Sequence, residues 1–344
     1  MKQYDLKELL FDLCRSVGVS GDESEAANKA MDYLSEYMPC KTDALGSVIG
    51  KKEGNGINIL LDAHIDQIGL VVTSIDDKGF LRVAKCGGAD ARVMSSSEVT
   101  VWGKKKLFGV VASIPPHLLD KNDENKAADF DSVYIDIGMS KAEAEKYISP
   151  GDRITFNGSQ TELLNNNVVS PCVDDRAGVA AVLRCLQILE NSNKPLCSLT
   201  VMFSSQEETG GSGAVAGAFK SDSDEAIAVD VGFARAPGVK NDKAGKIGEG
   251  AMIGFAPSLD NDMSNELIRL AEKNSIKWQY DVMGGSTGTN CDDISTSAGG
   301  IKTALISIPI KNMHTAVEIA CIDDIEAVAQ LMAAFILERS AVNA

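Results

Sequence analysis

Apolar residues recur along this chain in two rhythms. Residues 5–17 and 22–38 space them three and four apart, which predicts two amphipathic helices, the second opened by Ser20-Gly21-Asp22-Glu23 with a cap and first-turn acids. Residues 57–64 then form a short apolar run suited to a buried strand. From 68 to 156 the rhythm shortens. Segments 69–75, 79–84, 99–103, 108–112, 133–137 and 153–156 are brief, β-rich and separated by turn residues, the mark of a small barrel or sandwich. Beyond residue 174 helices and strands alternate, with helical spacing over 174–190, 213–219, 264–274 and 323–339. Buried strands are expected at 199–203, 226–230 and 303–310. The fold expected is therefore α/β: a mixed, largely parallel sheet flanked by helices, carrying an inserted small β-barrel. The sheet domain takes residues 1–67 and 158–344, and the insert takes 68–157.

Composition narrows the function. Of 344 residues, 44% are hydrophobic and 24% charged, enough for a packed core and too apolar for disorder. Basic residues number 33 against 49 acidic, a formal net charge of −16, which argues against nucleic acid or an anionic membrane as partner. No apolar run approaches the ~20 residues of a membrane helix. Residues 1–18 read as an amphipathic helix containing acids, not as a secretion signal. The eight cysteines never fall at a CxxC spacing, so free thiols in a reducing cytoplasm are expected.

Polar residues collect where the apolar strands end. The first strand runs into His64 and Asp66, the second into Glu207 and Glu208, and the third stops at Asp230. The last leads to His314, while Asp174-Asp175 opens a helix. Ligands of open α/β sheets bind beyond the carboxyl ends of the strands, so these segments would meet at one edge. Taken singly, each has a plainer explanation: a helix cap, a turn acid, a solvated pair. Together they use two of only three histidines. Two imidazoles with several carboxylates suit zinc, cobalt or manganese, and carboxylates so crowded call for more than one cation. His64 and Asp66 stand two apart, the spacing of an acid that orients a histidine ligand. His117 reads as a loop histidine.

Rival chemistries fit less well. Gly211-Ser212-Gly213-Ala214-Val215-Ala216 formally matches a dinucleotide fingerprint, but Glu207 and Glu208 just before it would repel a pyrophosphate. The calcium-like start at Asp260 lacks the later glycine and glutamate. A glycosidase using Glu207 and Glu208 would need carboxyls ~5–9 Å apart across a sugar, which adjacent residues seldom provide.

Five segments carry a resemblance: Asp62-Ala63-His64-Ile65-Asp66-Gln67-Ile68-Gly69, Val173-Asp174-Asp175-Arg176-Ala177-Gly178, Ser205-Gln206-Glu207-Glu208-Thr209-Gly210, Asp230-Val231-Gly232 and the stretch from Ile308 to His314-Thr315. In this order they resemble the tetrahedral, glutamyl-aminopeptidase-like dinuclear metallopeptidases, some once labelled endoglucanases. The segment 113–119 resembles that family's insert. The resemblance implies an aminopeptidase acting on short peptides. Two divalent metals are implied, zinc first and cobalt or manganese as alternatives. Asp174 would bridge them, with His64 and Asp230 on one and Glu208 and His314 on the other. Asp66 would orient His64, and Glu207 would be the general base. A cis Asp174–Asp175 bond is implied, as are dimers formed through the insert and assembled into a tetrahedral dodecamer. Pro171-Cys172, Thr315-Ala316 and the stretch 288–293 with its Asn290, Cys291, Asp292 and Asp293 depart from the family's usual residues without removing a ligand. The same site could instead serve a deacylase or carboxypeptidase, or form a metal-bound scaffold without activity.

Overall fold

Helices α1 (Leu6–Arg15) and α2 (Ser24–Leu34) open the chain in the computed structural model, which describes residues 4–113, 118, 130–194, 196–240 and 244–342. Asp5 caps α1 by accepting from the Glu8 N–H at 3.1 Å, and Leu6, Leu9, Leu10 and Leu13 bury one face. The start of α2 differs from expectation. Glu23 occupies its N-cap without capping, and its carboxylate accepts instead from the N–H groups of Gly21 (2.7 Å) and Gln206 (3.2 Å).

Strands β1 (Cys40–Thr42), β2 (Val48–Lys52) and β3 (Asn58–His64) follow. The β-rich block comprises β4 (Gly69–Ile75), β5 (Leu81–Cys86), β6 (Glu98–Trp102), β7 (Lys106–Val111) and β8 (Tyr134–Asp136), then the short helix α3 (Lys141–Ala144) and β9 (Arg153–Phe156). Its six strands close in the order β4-β5-β8-β7-β6-β9, so the block is a barrel. Leu70, Leu81, Val99, Val101, Ile135 and Ile154 fill its interior.

The chain then makes β10 (Thr161–Glu162), β11 (Asn167–Ser170), α4 (Val173–Ser192), β12 (Ser198–Ser204), α5 (Ser212–Phe219) and β13 (Glu225–Phe233). Next come β14 (Ala251–Phe255), α6 (Asn261–Asn274), β15 (Trp278–Val282) and α7 (Asn290–Thr296). The chain closes with β16 (Lys302–Ile310), β17 (Glu318–Cys321) and α8 (Ile322–Val342). Eight strands form the large sheet, in the order β1-β2-β12-β3-β13-β16-β14-β15, while β10, β11 and β17 form a small one. Its centre is parallel: β12 with β3, β3 with β13, and β13 with β16. Helices cover both faces, which is why these strands read as unbroken apolar runs. Ile59, Leu61, Val201 and Ile306 pack toward α1, α4 and α8, whereas Leu60, Met202 and Leu305 pack toward α5 and α7. Among the described residues no helix is long and apolar enough to cross a membrane.

Candidate active site

The carboxyl ends of the central strands deliver the site. Parallel pairing sets Ser204 of β12 beside His64 of β3, so the turn after Ser204 carries Glu207 and Glu208 to the histidine. Asp230 lies on the adjoining β13, and the turn after β16 presents His314. Asp174 and Asp175 at the head of α4 are not helical: the N-cap is Cys172, and both aspartates depart from helical φ and ψ. Their peptide bond is cis, in line with the expectation from the resemblance. Cys172, Gln206 and His314, in three segments at the site, hold positive φ of 62°, 59° and 62°. Non-glycine residues adopt that region sparingly, and such backbone concentrates at functional sites.

Asp174 stands at the centre. Its Oδ1 lies 3.0 Å from His64 Nε2 and its Oδ2 3.2 Å from His314 Nε2. His64 Nε2 is also 3.8 Å from Asp230 Oδ1, and His314 Nε2 is 3.3 Å from Glu208 Oε1. Two groups result, His64–Asp174–Asp230 and Asp174–Glu208–His314, each with one potential ligand atom per residue within 4.8 Å of the others. The barrel closes one side of the second group. A Cβ on Gly88 would meet His314 Nδ1 at 2.2 Å, so this approach tolerates only glycine unless the ring moves.

Asp66 serves three neighbours at once. Its carboxylate accepts from the N–H groups of Glu207 (2.9 Å) and Glu208 (3.1 Å), fixing the directions in which those side chains leave. Its main-chain oxygen and Oδ1 lie 3.1 and 3.4 Å from His64 Nδ1. Glu318, which sequence reasoning missed, does similar work beneath Asp174. This buried acid accepts from the Asp174 N–H (3.1 Å) and the His314 N–H (2.8 Å), and burial raises its carboxyl to about 8. Its only signal was an acid in the otherwise apolar β17. Asn290 Nδ2 donates to Asp62 Oδ2 and Ser204 Oγ, each at 2.8 Å, giving the first residue of the unusual 290–293 stretch a place below the site. Asp292 accepts from Ser258 Oγ at 2.6 Å, and a Cβ on Gly211 would meet Asp293 Oδ2 at 1.9 Å, so the stretch packs onto neighbouring turns. Arg176, fully buried, donates to the carbonyls of Ile65 (3.0 Å) and Leu13 (2.7 Å), tying α1 and the segment after His64 to α4. His117 lies outside the described residues.

The donor set suits divalent cations. Both atoms facing His64 Nδ1 are acceptors, so the ring proton belongs there. Nε2 then faces carboxylate oxygens, an approach that is favourable only with a proton or a metal cation between. The same surplus of negative charge acts on the protons. Burial pulls His64 down, but its hydrogen bonds to Asp174 and Asp66 and the charges of Glu207 and Asp230 raise it well above the usual histidine range. Burial pushes Glu207 up to about 7; Glu208, Asp174 and Asp66 add to the rise, against His64. A carboxyl poised near neutrality can both take and return a proton. Beside these residues opens a cavity of about 800 Å³, whose wall includes Phe233, Asp281, Val282, Met283, Leu305 and Ser307.

Residues 46–331 match the family model described as M42 glutamyl aminopeptidase. The chain belongs to the M42 glutamyl aminopeptidase family. It is a peptidase, and its activity is that of an aminopeptidase. The lysyl aminopeptidase of Pyrococcus furiosus is 30% identical over 339 residues, covering 96% of each chain. An aminopeptidase from the archaeon Desulfurococcus kamchatkensis superposes with a TM-score of 0.90 at 30% identity, covering 97% of this M42 chain and 95% of its own. The TET1 peptidase of Pyrococcus horikoshii, which can assemble into a tetrahedron or a large octahedral shell, superposes with a TM-score of 0.85 at 30% identity. That match covers 96% and 99% of the two chains.

Proposed function

We propose that this M42 peptidase removes N-terminal residues from short peptides with a pair of divalent metals and Glu207 as general base. The observation that carries the reading is the sharing of Asp174: its two oxygens face two separate imidazole–carboxylate groups, with Glu207 adjacent, at the mouth of a cavity. Asp174 would be shared by the two metals, with His64 and Asp230 holding one and Glu208 and His314 the other. Zinc fits this nitrogen and oxygen set first, cobalt or manganese next. When bound, the pair supplies Lewis acidity to the scissile carbonyl and lowers the pKa of a water. Glu207 takes a proton from the attacking water as its oxygen bonds to the carbonyl carbon. It returns that proton to the amine nitrogen as the C–N bond breaks. Asp66 keeps Glu207 and Glu208 diverging and His64 oriented. Incubating the zinc-, cobalt- or manganese-loaded protein with tripeptides is expected to release one residue at a time from the N-terminus, by mass spectrometry. Chelator abolishes the release, and aryl glycosides are not cleaved. Release of C-terminal residues or acyl groups instead would move the same site to a carboxypeptidase or deacylase.

The insert 68–157 forms the dimer contact in this reading, and dimers build a tetrahedral dodecamer in the cytoplasm, where the eight unpaired cysteines stay reduced. Val93 and Phe108 of the barrel are 55% and 58% exposed, apolar surface that a partner would cover. Light scattering in near-physiological salt with metal present is expected to give a particle many times the chain mass. A monomer at micromolar concentration would exclude the assembly and leave the site untouched.

A further inference from the structure

The cavity beside the metal residues holds one carboxylate that the reaction does not use. Asp281, on the edge strand β15, lines this cavity together with Asp174, Glu207, Glu208 and Asp230. Its Oδ2 accepts from Ser307 Oγ at 3.1 Å, and Ser307 is the register partner of Asp230 on the neighbouring strand. Between Asp281 and β16 the intervening strand offers Gly254, the register partner of Asp281, so no side chain stands at that point. The carboxylate is thus fixed to the wall that carries Asp230.

No described Lys or Arg pairs with Asp281. The cavity wall contains neither residue type. Arg235 and Lys246 line an adjoining cleft that also touches Asp281, but neither forms an ion pair with it among the described residues. Only Ser307 offsets the burial that pushes this carboxyl upward. A half-buried carboxylate without a cation is an incomplete arrangement, because charge withdrawn from water is repaid only by an opposite charge or several hydrogen bonds. The neighbouring wall residues Phe233, Val282, Met283 and Leu305 are apolar. A wall that sets these apolar side chains beside the Asp281 carboxylate complements a side chain that is itself a hydrocarbon stem with a positive tip.

Resting on the aminopeptidase reading above, we infer that Asp281 selects peptides whose N-terminal residue is lysine or arginine, by pairing with the cationic tip while the apolar wall holds the stem. Asp281 is then a specificity residue, separate from the metal ligands and from Glu207.

The test uses the metal-loaded enzyme with 4-nitroanilides of lysine, arginine, norleucine and glutamate. Norleucine keeps the α-amine and the stem and lacks only the tip, so the lysine-to-norleucine ratio of kcat/KM isolates the side-chain charge. The parent is expected to prefer lysine and arginine. Asp281→Asn lowers the lysine-to-norleucine ratio by about 10–100-fold, the range for a lost charged hydrogen bond. Asp281→Glu retains the preference, and Asp281→Lys moves it toward glutamate. A parent that does not favour lysine over norleucine, or an Asn variant with the parent's ratio, overturns the inference. If no anilide is hydrolysed, the hydrolytic reading fails by itself, and calorimetric binding of free L-lysine against L-norleucine decides Asp281. Tighter lysine binding lost in Asp281→Asn supports it, and equal binding of the two amino acids overturns it.

Discussion

Replacing Glu207 by Gln lowers kcat by about 10²–10⁴-fold, the usual loss when a general base is removed. Metal content and melting temperature stay those of the parent. The amide matches the carboxylate in size and still sits on the backbone that Asp66 clamps at 2.9 Å, so the turn keeps its shape. What disappears is the ability to accept a proton from the attacking water. Glu207 is also the acid of this adjacent pair that stands outside both imidazole–carboxylate groups, whereas Glu208 belongs to one. The two substitutions therefore separate: Glu208→Gln loses metal as well as activity, and Glu207→Gln loses activity alone. Elemental analysis beside turnover on one short peptide checks this. Normal turnover in a fully metallated Glu207→Gln enzyme would place the base elsewhere.

Asp174→Ala is expected to empty both metal positions at once and abolish hydrolysis. Its Oδ1 faces His64 and its Oδ2 faces His314, so one side chain belongs to both groups. Truncation leaves each position with two protein ligands, short of the three that catalytic zinc sites keep. Asp230→Ala and His314→Ala each belong to one group, and each is expected to lower metal content in one position only. Plasma emission spectroscopy on dialysed proteins gives the stoichiometries. If Asp174→Ala binds metal as the parent does, the shared-bridge arrangement is wrong. Circular dichroism on the same samples is expected to show that the fold survives.

How much of this could be read before the structure varies from element to element, for a physical reason. The central strands β3, β12, β13 and β16 were legible because burial on both faces makes a strand apolar at every position, a strong local signal. The ligand candidates were legible because ionisable residues directly after such runs conflict with the pattern. The barrel was legible as short alternating strands between turns. Strand β14 carries the same apolar signal in only five residues and was missed, whereas the edge strand β15 and helix α7 left no such mark. In β15 burial is partial and alternates with exposure, so Asp281 looked like an ordinary polar position. Glu318 and Asn290 were missed for another reason. Their function lies in partners 144 and 228 residues away, Asp174 and Asp62, and no local spacing encodes such a pairing. By itself the sequence determined which segments must be buried, since hydrophobicity and period are local properties of the chain. The convergence of His64 and Asp174 to 3.0 Å across 110 residues was decided only by the packing of α4 against β3 and β13. Burial is a property of each residue, whereas a contact between distant residues exists only once the strands have taken their order in the sheet.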